Sequence, residues 1–292
     1  MTKKIYVVAG ATGYVGKVVV EKLKAQGHQV RPVSRSDGVS FDDITALTRA
    51  FSGVDGAFLM IPFDMKAPDL HKRENEIGMK LADAVKTAGV RRVVFLSGTS
   101  AHLKEGAGSA LGASMMEERL DGLGIAELVH LRGCFFMENH LNLGLIAQAQ
   151  TGVYGTMFRP DVAMPMIATK DVGEKAAELL TEEPFRQPRV RELLGPRDYT
   201  MAEATRILGS AIGKPELKYV QIPYEDAHRA MLGMGLSPSF ADAVTETARS
   251  FNEGKVWARE KRSAQNTTET TLERFAQEVF RKAYETTTAG VH

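Results

Sequence analysis

Residues 5–17 read Ile5-Tyr6-Val7-Val8-Ala9-Gly10-Ala11-Thr12-Gly13-Tyr14-Val15-Gly16-Lys17, a β-branched apolar run followed by three glycines spaced three apart. Ile5 to Ala9 is expected as a strand, and Lys17 to Ala25 (KVVVEKLKA) as a helix that ends at Gly27. Strand, turn and helix in that order are the context in which a GxxGxxG pattern acquires meaning. Gly10 permits the tight turn, Gly13 lets backbone amides approach a pyrophosphate, and Gly16 lets the helix lie close on the strand. The free N–H groups and the positive end of that helix then attract phosphate. The stretch therefore reads as a dinucleotide site.

The next segments repeat the alternation. His28 to Ser34 (HQVRPVS) reads as a second strand, Asp42 to Phe51 as a helix, and Gly56 to Pro62 (GAFLMIP) as a strand stopped by proline. Glu74 to Thr87 carries apolar residues at Ile77, Leu81 and Val85, a helical spacing. Arg92 to Ser97 is a further strand, Glu117 to Leu123 the end of a helix, and Ala126 to Arg132 the strand after it. Alternating β and α elements predict an α/β fold, a Rossmann doubly wound parallel sheet, over residues 1–150.

After residue 150 the alternation loosens, with glycine, proline and methionine frequent from Gly152 to Pro165. Helices are expected at Val172 to Leu180, Met201 to Ile212 and Thr271 to Tyr284, and an extended piece at Lys218 to Ile222. Residues 151–292 are thus expected to form a smaller, mostly helical substrate-binding region, with room for strands that return to the sheet. The tail Thr286 to His292 is expected to fray.

Composition excludes several functions. With 292 residues, 43% hydrophobic and 25% charged, the chain is ordinarily globular. A formal net charge of +1 points to neither nucleic acid nor an acidic membrane as the main partner. No apolar run reaches the roughly 20 residues of a membrane span. No secretory leader is visible, so a cytoplasmic location is expected, as a monomer or homodimer. Cys134 is the single cysteine, and the seven histidines lack metal-ligand spacing, so neither disulfide nor metal is expected.

The second strand selects the nucleotide. A ribose 2′-hydroxyl is usually met by an acid at its end, a 2′-phosphate by a guanidinium. Here it ends Ser34-Arg35-Ser36, and the first acid, Asp37, lies in the loop. Arg35 is assigned to the 2′-phosphate, with Arg31 and Ser36 as weaker candidates, so NADP(H) is expected ahead of NAD(H).

With GATGYVG (residues 10–16), VSRS (33–36), RVVFLSGTS (92–100) and LRGCFFMEN (131–139) in order, the chain resembles the NmrA-like family of atypical short-chain dehydrogenases. DVGEKAAELL (171–180) and TMAEATRILGSAIGKPELKYVQIPYEDA (200–227) extend the resemblance over nearly the whole chain. The family includes NADPH-dependent quinone oxidoreductases and triphenylmethane dye reductases, together with non-catalytic regulators that sense nicotinamide redox state. The resemblance implies that Gly10, Thr12, Gly13, Tyr14, Val15 and Gly16 hold the phosphates and that Arg35 meets the 2′-phosphate. It places Met60, Ile61 and Pro62 beside the ribose and adenine, and Ser97, Gly98 and Thr99 beside the nicotinamide. Phe135, Phe136, Glu138 and Asn139 fall where the family walls the substrate cleft.

Three departures matter. No tyrosine stands four residues before a lysine, so the usual proton donor is missing and the catalytic residue is unassigned. Ala113 occupies a position where relatives carry His or Lys, and Ser40 one where they carry Asp. An isolated ketone needs an acid at the alkoxide it forms, whereas a conjugated acceptor delocalises the incoming charge, so positioning supplies more of the catalysis. An NADPH-dependent reductase of a quinone-like or other conjugated aromatic acceptor is therefore expected. Phe135, Phe136, Asn139, Met164, Met231 and Met234 are its candidate cleft residues, and an adaptable methionine lining suits such ligands. A redox sensor that passes its state to a protein partner is the alternative. His102 and Lys104 are read as solvated loop residues near the mouth, Cys134 as a buried small hydrophobe, Arg132 as half of a structural pair, and Asp171 as a helix cap.

Overall fold

The computed structural model describes residues 3–103 and 105–289, so the expectations for Lys104 and the last three residues lie outside it. The chain runs β1 (Ile5–Ala9), α1 (Tyr14–Ala25), β2 (Gln29–Val33), α2 (Ile44–Phe51), β3 (Gly56–Leu59), α3 (Leu70–Ala88), β4 (Arg92–Gly98), α4 (Leu111–Asp121) and β5 (Glu127–Gly133). It continues with β6 (Phe135–Phe136), α5 (Leu143–Gln150), β7 (Val153–Thr156), β8 (Ala163–Ile167), α6 (Thr169–Thr181), β9 (Val190–Leu193), β10 (Asp198–Thr200) and α7 (Met201–Ala211). Last come β11 (Lys218–Gln221), α8 (Tyr224–Gly233), α9 (Pro238–Asn252), α10 (Leu272–Phe275) and α11 (Arg281–Ala289), the final two joined by a π-helical turn.

The main sheet has six parallel strands in the order β2-β1-β3-β4-β5-β9. This is a doubly wound Rossmann-type α/β sheet. Residues of β1 alternate between its faces: Val7 and Ala9 join the core under α2, α3 and α4, while Tyr6 and Val8 join the core under α1 and α6. Helix α1 buries Val15, Gly16, Val19 and Leu23, a stripe of helical spacing. Helix α6 lies so close to it that a Cβ on Gly173 meets Val18 at 2.6 Å.

Winding begins from β1 to β2 and then crosses back, so β3 pairs with the other side of β1. The order therefore reverses between β1 and β3, and the C-terminal ends of the strands at such a switch point are the place where open α/β sheets bind ligands.

Elements beyond residue 150 complete this body. β9 pairs with β5, and α6 covers α1. The rest is largely helical but also carries a three-stranded sheet (β10-β8-β6) and a parallel pair (β11-β7) around a third core.

Several boundaries differ from the sequence reading. Asp69 accepts the Lys72 N–H at 2.9 Å and starts α3 at Leu70, a turn before the apolar spacing becomes visible. Asp171 does not cap α6. The helix begins two residues earlier, and the Asp171 carboxylate accepts the Thr270 hydroxyl at 2.7 Å. The cap comes from a distant residue, since Glu138 takes the Thr169 N–H at 2.9 and 3.1 Å. The segment expected to fray continues as helix through Ala289.

Candidate functional site

The candidate site is built on the glycine turn. Gly10 has φ +72 and donates its N–H to Val33 O at 2.9 Å, which ties the turn to β2. Gly13 donates to Gly10 O at 3.0 Å and is the N-cap of α1, with no side-chain cap over the helix end. The first-turn N–H groups of α1 have no partner within a helix. They face outward where Thr12, Gly13 and Tyr14 are exposed.

Steric room divides the glycines by role. A Cβ on Gly16 would lie 2.1 Å from Gly10 O, and one on Gly10 would lie 2.5 Å from Met60 Sδ. Those two glycines are needed by the fold itself. A Cβ on Gly13 meets nothing nearer than 3.4 Å, so the space above it is open. A bare helix N-terminus over an open glycine is a cradle that fits a pyrophosphate, and a dinucleotide suits the residues present.

Arg35 leads the 3-10 turn Arg35–Asp37 that follows β2. It is exposed, and among the described residues its guanidinium has no hydrogen bond or ion pair. Ser34 holds the turn below it, bonding to the Ser36 hydroxyl at 2.9 Å and to the Asp37 carboxylate. Asp37 is thereby turned to Ser34. Arg31 is placed differently from its reading as a weaker phosphate candidate. Its Nη1 donates to Ala50 O at 3.1 Å and Ser52 O at 2.5 Å, the carbonyl end of α2. Ser40 accepts the Asp42 N–H at 3.1 Å.

Beyond the turn, Met60, Ile61 and Pro62 follow β3 and are half-buried. At the end of β4 the hydroxyls are committed inward. Ser97 donates to Glu117 at 2.5 Å, and Glu117 also grips Arg132 through both oxygens at 2.9 and 2.6 Å. The expected structural pair of Arg132 is therefore with Glu117 of α4. Thr99 donates to Gly133 O at 3.0 Å beside the Cys134 sulfur. Burial pushes the Cys134 thiol up to about 12, so it is an inert neutral group.

The cleft candidates separate. Phe136 is half-buried against the Gly133 backbone, with Met60 and Leu96 in the same cluster, beside the glycine turn. Phe135 turns away, its ring 5.6 Å from Phe158, which in turn lies 5.7 Å from Phe251. Asn139 is exposed. Met164 corrects the cleft reading: it is 1% exposed inside the third core, paired across the sheet with Tyr199. Nearly all of β8 is buried, Met164 included, which composition does not show. Met231 is buried among Met157 and Ala241, and Met234 is 57% exposed in the turn between α8 and α9.

Tertiary contacts add Phe63, Met65, Ser237 and Trp257, which the sequence reading passed over. The loop after β3 docks on the start of α9, where Ser237 donates to Met65 O at 2.9 Å and the Phe63 and Phe240 rings stand 6.4 Å apart. Trp257, the single tryptophan, is 56% exposed with its ring 6.3 Å from His102. Its rarity was the one signal available. Among the described residues no His, Cys, Asp and Glu group is arranged to hold a metal, and no helix is long and apolar enough to cross a membrane.

An open sheet with a bare glycine-lined helix end at its switch point defines a nucleotide-binding α/β protein. The chain belongs to the NmrA-like family, whose sequence model matches residues 1–288. It is 28% identical over 256 residues to an NAD(P)H azoreductase of Xenophilus azovorans, covering 82% of this chain and 84% of that protein. Its fold is similar to that of an NADPH-dependent quinone oxidoreductase of Escherichia coli solved with NADPH, at TM-score 0.75 and 23% identity, covering 94% and 99% of the two chains. It is also similar to NmrA, a negative transcriptional regulator solved with NAD, at TM-score 0.69 and 19% identity, covering 98% of each.

Proposed function

We propose that this chain is an NADPH-dependent oxidoreductase whose acceptor is a quinone, azo compound or other conjugated aromatic molecule. The observation that carries the reading is the open glycine turn at the switch point with the unpaired guanidinium of Arg35 beside it. When bound there, the dinucleotide supplies a hydride. The chain's own part is to bind and orient. The N–H groups at the start of α1 take the pyrophosphate, and Arg35 takes the 2′-phosphate as a bidentate donor. The Gly133 backbone and Phe136 offer a flat wall to a planar ring.

Several features favour a conjugated acceptor. The hydroxyls of Ser97 and Thr99 are committed to protein partners and the Cys134 thiol is buried, so none of these three groups serves the oxygen of an isolated ketone. Delocalisation removes much of that need. Phe63, Met65 and Met234 add apolar surface around the loop after β3 and the α8–α9 turn. The azoreductase and quinone oxidoreductase relatives act on acceptors of this kind, as their names state. In this reading the protein works in the cytoplasm, as a monomer or homodimer, on a small diffusible acceptor.

Titration of the purified protein with NADPH and NADH, followed by nicotinamide absorbance with a panel of quinones and azo dyes, tests the reading. Acceptor-dependent NADPH oxidation supports it. Tight NADP(H) binding with no turnover across the panel replaces it with the sensor alternative, for which the regulator relative is a precedent.

A further inference from the structure

We propose that His102 is the proton donor of this site, acting through Nε2 on the acceptor as it is reduced. The inference rests on the reductase reading above and goes beyond it to a residue.

Position comes first. The 3-10 turn Thr99–His102 continues β4 directly at the C-terminal edge of the sheet. His102 is half-buried, and the edge of its ring meets Trp257 at 6.3 Å and 64°. The Trp257 segment is itself anchored, because Arg259 and Glu260 donate their N–H groups to one Glu192 oxygen at 2.6 and 2.7 Å. The exposed indole gives a planar acceptor a surface on which to stack beside the imidazole.

The hydrogen bond then fixes the tautomer. His102 Nδ1 lies 2.8 Å from Thr99 O. A carbonyl oxygen only accepts, so Nδ1 carries a hydrogen in both charge states. The variable proton of this ring is therefore on Nε2, which among the described residues has no hydrogen-bond partner. A fixed Nδ1–H with a free Nε2 is the arrangement in which a histidine gives up and reloads a proton.

Among the described residues, the proton-bearing side chains at the end of β4 and around it are occupied. Ser97 serves Glu117, Thr99 serves Gly133 O, Glu117 is held by Arg132, and Glu138 caps α6. Of the charged residues on the surrounding segments, Glu246 takes the Gly108 N–H at 3.1 Å and Arg249 lies 4.7 Å from the Tyr224 ring centre. Glu253 and Lys255 pair with each other at 2.6 Å, while Glu105 and Arg259 are exposed.

Consider an azo acceptor. One nitrogen of N=N gains the hydride with its electron pair, the π bond breaks, and the other nitrogen takes the proton from Nε2–H. The product is the hydrazo compound, and the imidazole left neutral regains a proton from water. A cationic triphenylmethane dye differs, because hydride addition at its central carbon gives the neutral leuco dye with no proton needed.

That difference supplies the test. His102→Asn keeps an amide N–H for Thr99 O and removes the nitrogen proposed to give the proton. In single turnovers with saturating NADPH, reduction of methyl red should fall on the order of 100-fold. Reduction of crystal violet should stay within about 2-fold of wild type. NADPH affinity by fluorescence titration should be unchanged, and ¹⁵N spectra of the imidazoles should show neutral His102 as the Nδ1–H tautomer. Equal losses on both dyes, no loss on methyl red, or an Nε2–H tautomer would each overturn the assignment. A wild-type protein that binds NADPH yet reduces neither dye instead fails the reductase reading, and the proposal goes with it.

Discussion

The carboxylate of Glu117 in α4 closes on the guanidinium of Arg132 in β5 through both of its oxygens, at 2.9 and 2.6 Å, with both side chains about nine-tenths buried. The pair ties the ends of β4 and β5 to the helix between them, since Ser97 joins the same carboxylate. Removing one partner leaves a buried charge with nothing to balance it. Glu117→Ala is expected to destabilise the fold by about 3–5 kcal/mol, whereas the double replacement Glu117→Leu with Arg132→Met costs less. Urea unfolding of the two variants measures the difference.

The glycine turn separates folding from binding. In Gly16→Ala the new methyl would overlap a backbone oxygen 2.1 Å away, which nothing nearby can relieve. A loss of about 3 kcal/mol or more is expected. Gly13 has φ −75 and 3.4 Å of clearance, so Gly13→Ala should keep its stability within about 1 kcal/mol. Its methyl takes up open space above the turn where the pyrophosphate is proposed to sit, and NADPH affinity should drop at least about tenfold. Thermal unfolding and cofactor titration on the two variants read out the contrast.

Two arginines in one strand-and-turn segment should behave oppositely. Arg35→Ala removes an exposed guanidinium without partners and should weaken NADPH binding about tenfold to a hundredfold, with NADH little changed. Arg31→Ala removes hydrogen bonds to Ala50 O and Ser52 O, and so should lower stability by about 1–3 kcal/mol and leave the preference between cofactors as it was. Equal effects of Arg35→Ala on both cofactors would refute the 2′-phosphate assignment.

His140 sets an acid limit. Full burial pushes its imidazole down from 6.5 to about 4, and its Nδ1 lies 2.6 Å from the Tyr154 hydroxyl. The unfolded chain binds a proton there at higher pH than the folded one does. Stability from this group is thus complete above pH 6.5 and declines as pH falls to about 4, by about 3 kcal/mol in total. In His140→Gln the urea midpoint should depend less on pH across that window.

How much of this was legible from the chain depends on the range of the forces involved. The strands from Ile5–Ala9 to Glu127–Gly133, the helices between them and the glycine turn follow from local rules: apolar period, caps, and glycine where backbone passes close to backbone. Arg35 was legible too, because it directly follows the strand. The strand order was not, since the pairing of β3 with β1 joins segments about fifty residues apart. Met164 was misread because its inward aim is set by pairing with Tyr199, and Asp171 because its partner, Thr270, lies 99 residues on. The commitment of Ser97 to Glu117, the meeting of His102 with Trp257, and the capping of α6 by Glu138 are likewise contacts between segments far apart in the chain. Sequence determined the parallel sheet and the glycine turn, which short-range geometry dictates. Tertiary structure alone decided which polar groups around that turn are spent on the fold and which remain free.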